Sequence, residues 1–377
     1  MKRYVSLDVL RGLTVALMIV VNNPGSWSRI YPILRHASWD GCTLCDLVFP
    51  FFLFCVGASM AFALAKYDSL DKAALGKIFR RGALLYLTGL LLTAFPFYPA
   101  VQDPSMTFMQ NWLAWAGNLR LTGVLPRIAL CYVAASVLAL WLRSSRRIAC
   151  AVCVLSLLHV GLLLLFAGPE GAFSLEGNFA ARVDLAVFGD AHIYHGYGVP
   201  FEPEGLLGVL TGTCTVLIGY MTGRYIRKSS LEYAASASAD ASPAAVSAGI
   251  FALSAALLLG GLALSIWIPI NKPLWSVSYV FYTAGWASFV LALLVYLIDA
   301  KGLERPFFPF KALGMNALAL FVLSGLLMKI IWRYTGWDYT AVFGTSEFMS
   351  LVFALSYMLL HLVVAVILYR KKIFIKL

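Results

Sequence analysis

Apolar residues in this chain come in repeated runs of roughly 20, the length that carries a helix across a hydrocarbon core about 30 Å thick. Ten such stretches can be read, at residues 5–21, 44–65, 78–95, 121–142, 148–167, 206–225, 245–266, 276–298, 312–332 and 348–369. The expected fold is therefore all-α: a polytopic integral membrane protein with about ten transmembrane helices. The first stretch is a poor signal peptide, because Asp8 and Arg11 interrupt its start and it runs into Asn22-Asn23-Pro24-Gly25 without a small-x-small cleavage site. It is read as a membrane helix. The connection 228–247, rich in Ser, Ala and Asp, reads as a flexible cytoplasmic linker between a six-helix part (1–227) and a four-helix part (248–377) of one transmembrane domain.

Composition sharpens this picture. Of 377 residues, 61% are hydrophobic and only 12% charged, against roughly 25% charged in an ordinary soluble domain. A soluble globule is excluded. The formal charge of +11 would point to nucleic acid in a soluble chain; here the question is on which side of the membrane the basic residues fall. With the N-terminus inside, the inner connections and termini receive 20 Lys and Arg and the outer ones 7, while Arg11 and Arg127 lie within spans. This skew supports ten spans with both termini cytoplasmic, and makes the net charge a topology signal. No nucleic-acid partner is expected. Seven cysteines, most of them inside apolar spans, give no disulfide framework.

The scarce polar groups carry the functional argument, since an unpaired charge near the bilayer is costly. On the outer side, the first connection holds Asn22, Asn23, Trp27, His36, Trp39 and Asp40, and leads into Asp46. The long outer loop adds Arg182, Asp184, Asp190, His192, His195, Glu202 and Glu204; the connection after the seventh span adds Asn271 and Lys272 between Trp267 and Trp275; Arg127 enters from the same face. Convergence from five separate stretches is what a binding or catalytic site requires. His36 is the candidate proton acceptor, because imidazole titrates near neutrality, and Asp46 would orient it. Trp residues could stack on sugar rings, or could simply suit the membrane interface. His192 and His195 have an H-x-x-H spacing without a third ligand, so no metal is expected. Cys42-x-x-Cys45 has redox spacing but no βαβ context and reads as structural. Gly208-x-x-x-Gly212 and Gly219-x-x-x-Gly223 would let helices approach closely. On the inner side, Asp8, Arg11, Arg80, Arg81, Arg224 and Asn316 could face a phosphate-bearing cytosolic ligand, although positive-inside anchoring explains most of them.

The runs Ser6-Leu-Asp8-Val-Leu-Arg11-Gly, Asn22-Asn23-Pro24-Gly25 and His36-Ala-Ser-Trp39-Asp-Gly-Cys-Thr-Leu-Cys45-Asp46-Leu-Val-Phe-Pro50 resemble the heparan-α-glucosaminide N-acetyltransferase family and its bacterial relatives. The likeness continues in order through Gly123-Val-Leu-Pro126-Arg127, Phe201-Glu-Pro-Glu204-Gly, Pro269-Ile-Asn271-Lys272-Pro-Leu-Trp275 and Gly314-Met-Asn316. It implies a multipass acyltransferase that moves acetyl from cytosolic acetyl-CoA to an amino sugar or oligosaccharide on the far side of the bilayer. The site residues it implies are His36 as catalytic group with Asp46 and Asn22 or Asn23 in support. Acceptor contacts would come from Trp39, Arg127, Asp184, His192, Glu204, Asn271 and Lys272. Asp8, Arg11, Arg80, Arg224 and Asn316 would lie toward CoA. A bacterial inner-membrane location and a homodimer also rest on the resemblance. Relative to animal members, the large N-terminal extracytoplasmic region is expected to be missing, with the core beginning at residue 4. Pro126 replaces the usual Gln and Cys45 is unusual. The rival reading is an amino-sugar permease of the N-acetylglucosamine type, in which the same outer cluster binds the solute.

Overall fold

A computed structural model describes residues 4–99, 102–236 and 238–375. Lys2, Arg3 and Lys376, counted above among the inner basic residues, lie outside them, as does Ala237 of the expected linker. The described residues form fourteen α-helices: α1 (Val5–Asn22), α2 (Leu44–Ala63), α3 (Lys72–Ala94), α4 (Phe108–Gly117), α5 (Val124–Leu142), α6 (Ser145–Leu165), α7 (Phe179–Phe188), α8 (Leu207–Ser236), α9 (Pro243–Leu264), α10 (Val277–Leu294), α11 (Phe308–Met315), α12 (Ala317–Tyr334), α13 (Thr340–Phe343) and α14 (Glu347–Arg370). Among these residues there is no strand, only an isolated antiparallel bridge between Asp40 and Asn271.

The ten longest helices coincide with the ten apolar stretches, and eight of them are long and apolar enough to cross a membrane. The other two are α3, which opens with Lys72, Lys77, Arg80 and Arg81, and α8, whose membrane-length part is diluted by Gly and Thr. The reason α8 tolerates this lies in its surroundings. Thr211, Gly212, Thr213, Cys214 and Thr215 are all buried against protein, and α8 packs on α2, α5 and α6. Gly219 makes the α2 contact possible: a Cβ there would lie 2.2 Å from the Phe54 carbonyl oxygen. α1 and α2 form the interior of the bundle, with 78% and 67% of their apolar windows buried, whereas α12 has only 17% buried.

Three expectations are corrected by the structure. The linker is shorter than 228–247, because α8 continues as helix to Ser236, buries Ser229 and Ser230, and carries a Lys228–Glu232 ion pair at 3.5 Å. The ninth stretch is not one helix. It breaks at Asn316, whose amide donates to the Ile373 carbonyl at 3.0 Å and accepts the Ile375 N–H at 2.8 Å, anchoring the chain after α14. α4 and α7, in the connections before α5 and α8, were not foreseen. Asp299, beyond α10, accepts from the free N–H groups of Val5 (3.0 Å) and Ser6 (3.3 Å), so a carboxylate from another helix caps the positive end of α1. These contacts gather the start of α1, the end of α10 and the end of α14 at one end of the bundle, and His36 belongs to the opposite end.

Candidate functional site

The segment from His36 to Asp46 is built by local rules. Gly41, at φ +108°, turns the chain, its N–H bonded to the Ile270 carbonyl at 2.7 Å. Thr43 is the N-cap of α2 and Asp46 its N3 residue, so the Asp46 carboxylate reaches back to the Thr43 N–H at 3.1 Å. The same oxygen, Oδ2, accepts the Ala37 N–H at 3.0 Å. That leaves Oδ1 for His36, whose Nδ1 lies 2.7 Å away. With the Nδ1 proton assigned to this bond, Nε2 carries the free lone pair. Asp46 is enclosed and the His36 side chain about half exposed, at 1% and 52% of their full accessibilities. The arrangement is an imidazole held through Nδ1 by a buried carboxylate, its ring half exposed and Nε2 3.6 Å from the Cys45 sulfur.

A helix-breaking proline and two residues from later in the chain complete it. Pro50 lies inside α2 and has no N–H, so the Asp46 carbonyl four residues earlier lacks its usual helical donor. The Tyr279 hydroxyl of α10 donates to that carbonyl at 2.5 Å. Tyr279 was missed in the sequence; the available signal was a proline four residues after a candidate site residue. Lys272 approaches from the connection between α9 and α10, its Nζ 3.2 Å from Asp46 Oδ1 and 3.0 Å from His36 Nδ1. Cys45 packs its sulfur 3.2 Å from the same imidazole nitrogen. All seven cysteines are free.

Several expected acceptor contacts hold protein instead. Asn271 is fully enclosed: its amide donates to the Trp39 carbonyl (3.2 Å) and Asp40 carboxylate (3.1 Å), and its oxygen accepts the Leu274 N–H (2.7 Å). It fastens the second half of the chain to the His36 loop. Arg127, 1% exposed, donates to the carbonyls of Pro203 (2.7 Å) and Gly205 (3.2 Å) and stacks its guanidinium 4.8 Å above the Trp275 ring. A Cβ on Gly208 would meet its Nη2 at 1.6 Å, so the glycine there makes room for an arginine. Asp184 is likewise enclosed, with Oδ1 accepting the Leu206 N–H at 2.8 Å and Oδ2 without a hydrogen-bond partner. Burial pushes its carboxyl up to about 7, and Glu202 adds to the effect. His192 pins its loop to the Leu119 carbonyl at 2.7 Å. His195 pairs with Asp190 at 3.1 Å, both exposed.

Glu204 and Trp39 remain nearer the surface. Arg120 bridges Glu202 (Nε to Oε2, 2.9 Å) and Glu204 (2.5 Å), and lies over the Tyr194 ring. Burial works to raise the Glu202 carboxyl, but the Arg120 bond and charge outweigh it and hold it below its ordinary value. Trp39 donates to the Phe173 carbonyl at 2.8 Å and meets Tyr197 and Phe201 edge to face. These aromatic contacts tie the His36 loop to the 194–204 loop.

Asn22 and Asn23 stand apart from the His36–Asp46 pair. Asn23 is buried and donates to the Ile19 carbonyl at 2.8 Å; both asparagines line a cavity of about 640 Å³ with Trp27, Trp332, Trp337 and Asp338. At the other end of the bundle, Arg11 is bound between helices: it donates to the Gly314 carbonyl at 3.2 Å and to the Ser59 hydroxyl, and lies 3.5 Å from Asp8. Arg224 donates to the Arg143 carbonyl at the end of α5, and Asn316 is occupied as described above. Arg80 is exposed. The structure therefore brings Arg11 and Asp8 together, and gives Arg224 and Asn316 tasks within the fold.

A family profile described as heparan-alpha-glucosaminide N-acetyltransferase, catalytic, matches residues 3–171, which include His36, Asp46 and Arg127. The mouse protein named heparan-alpha-glucosaminide N-acetyltransferase is 27% identical over 98% of this chain, and the human protein of that name 28% identical over 98%. The chain spans about 60% of the length of these relatives. Lys272 and Tyr279 lie outside the profile-matched segment yet complete the His36 centre, so the likeness along the whole chain is structurally of one piece. By these matches the chain, an all-helical protein with membrane-length helices, is similar to the heparan-α-glucosaminide N-acetyltransferases.

Proposed function

We propose that the chain is an acyltransferase that passes an acetyl group from acetyl-CoA, supplied on the cytosolic side, to the amine of an amino sugar on the opposite side of the bilayer. The observation that carries this reading is the His36–Asp46 pair, with Nδ1 tied to a buried carboxylate and the imidazole half exposed at the bundle end opposite the termini. As the acceptor amine attacks the thioester carbonyl, the new N–C bond forms and the C–S bond breaks. His36 Nε2 takes the proton the amine must lose and returns it to the departing CoA thiolate. Asp46 stabilises the imidazolium formed between those events. The same nitrogen is also placed to carry the acetyl group itself, splitting the reaction into two transfers.

CoA phosphates would lie toward Arg11, whose guanidinium sits within the bundle among α1, α2 and α11. Glu204 and Trp39, on loops beside His36, would position acceptor hydroxyls and the sugar face. A bacterial cytoplasmic membrane and a homodimer are the companion expectations from the family likeness. The test is transfer of labelled acetyl from acetyl-CoA to glucosamine by the purified protein. His36→Ala should abolish it, and undiminished transfer by that variant would overturn the reading. Uptake of labelled sugar into proteoliposomes without acetyl-CoA would favour a permease instead.

A further inference from the structure

We propose that Lys272 is a positioning residue of the His36 centre, acting through the Asp46 carboxylate and not through the acceptor. The inference rests on the reading of His36 as the base. Its first ground is geometry. Asp46 Oδ1 receives two donors, His36 Nδ1 at 2.7 Å and Lys272 Nζ at 3.2 Å, and these donors lie 3.0 Å from each other. Two nitrogens that close, both carrying protons, stay together because they share one anionic oxygen. With Oδ2 held by the Ala37 and Thr43 N–H groups, the ammonium completes the donors on Oδ1, and Oδ1 in turn holds the imidazole ring.

The second ground is accessibility. The Lys272 side chain is only 18% exposed, whereas His36 is 52% exposed. An acceptor sugar approaching the exposed part of the ring meets the imidazole, while Nζ sits on the Nδ1 side with its charge directed at Asp46. The third ground is the connection that presents Lys272. Asn271 locks it to Trp39 and Asp40, and the Ser276 hydroxyl donates to the Pro269 carbonyl at 2.7 Å within the same turn. A residue held this firmly from a distant part of the chain acts as a fixed support and not as a mobile ligand-gathering arm.

The groups that face the imidazole are Asp46 and Cys45 from α2 and Lys272 from the α9–α10 connection. Lys272 is the one cation among them. Its removal takes away the second donor on Oδ1 and the cation beside the imidazole, so the base loses a fixed neighbour without the acceptor losing a contact.

The experiment is a double-mutant cycle on the full chain in proteoliposomes, with acetyl-CoA and glucosamine as substrates. Lys272→Ala should lower kcat by about tenfold or more while the glucosamine KM stays within roughly twofold, the pattern of a lost transition-state interaction. Lys272→Arg should recover most of kcat, and added ethylammonium should restore part of it in Lys272→Ala. If Lys272 acts through Asp46, then Lys272→Ala combined with Asp46→Asn is no slower than Asp46→Asn alone. Multiplied losses, or a raised glucosamine KM with kcat preserved, would overturn the proposal and make Lys272 an acceptor contact. If Lys272→Ala does not fold, Lys272→Gln enters the same cycle with the same criteria. A His36→Ala variant that retains transfer removes the underlying reading, which is a different failure from additivity at Lys272.

Discussion

Replacing Asp184 by Asn removes a charge that its surroundings are poorly equipped to hold. The carboxyl has no solvent exposure, one oxygen bonded to the Leu206 N–H and the other without a partner. The Leu206 N–H bond and Arg127 pull the other way, but burial outweighs them, with a further push from Glu202, and takes the carboxyl from an ordinary 3.8 to about 7. The sign follows from linkage. The folded value lies above the unfolded one, so the folded protein holds more protons between about pH 4 and pH 7, and stability falls as pH rises through that window. At roughly 1.4 kcal/mol per pH unit, ionised Asp184 costs on the order of 4 kcal/mol above pH 7. Asparagine reproduces the neutral form, keeping an oxygen for Leu206 without a charge. Asp184→Asn should therefore match wild type near pH 4, and its advantage should grow from pH 5 to pH 7 and level off by pH 8, at several degrees in a detergent thermal melt. The informative quantity is the difference in Tm between variant and wild type across pH 5 to 8, because other titrating groups cancel in it. A difference that stays flat with pH, or a variant less stable at pH 8, would refute the assignment of a buried, protonatable carboxyl to Asp184.

Other consequences are narrower. Tyr279→Phe leaves the Asp46 carbonyl without a donor, and should lower stability by roughly 1–3 kcal/mol and slow transfer without changing acetyl-CoA binding; melting and steady-state kinetics check both. Gly57→Val puts a Cβ where the Val216 carbonyl oxygen would be only 1.9 Å away, so α2 and α8 must separate, and loss of a monodisperse peak on size-exclusion chromatography is the expected result. Arg11→Met should raise the KM for acetyl-CoA by about tenfold if the guanidinium meets a CoA phosphate, with the glucosamine KM unaffected.

The residues of the His36 centre differ in how readily they could be found from the chain alone. His36 and Asp46 are ten positions apart, joined by a tight glycine turn and a helix N-terminus, and such short-range chemistry is written in the local sequence. Lys272 and Tyr279 come from more than 200 residues further on. Their types were visible, but nothing in their neighbourhood states that one approaches a carboxylate and the other a carbonyl freed by Pro50. Asn271, Arg127 and Asp184 show a different limit of the chain alone. As polar residues near the bilayer end they had the composition of a binding surface, and each instead supports a loop inside the fold.

By itself, then, the sequence determined the helical membrane architecture, the positions of the ten long helices and the local His36–Asp46 motif. Apolar run length and helix-start chemistry are properties of contiguous residues, and lipid and backbone enforce them without reference to distant partners. The tertiary structure alone decided which polar groups stay exposed and which are bonded inside the protein, where α8 stops, and why the ninth apolar stretch breaks at Asn316. Those outcomes depend on hydrogen bonds between segments brought together only by packing. A buried polar side chain takes whatever partner the fold supplies, because being left without one costs more than any local preference.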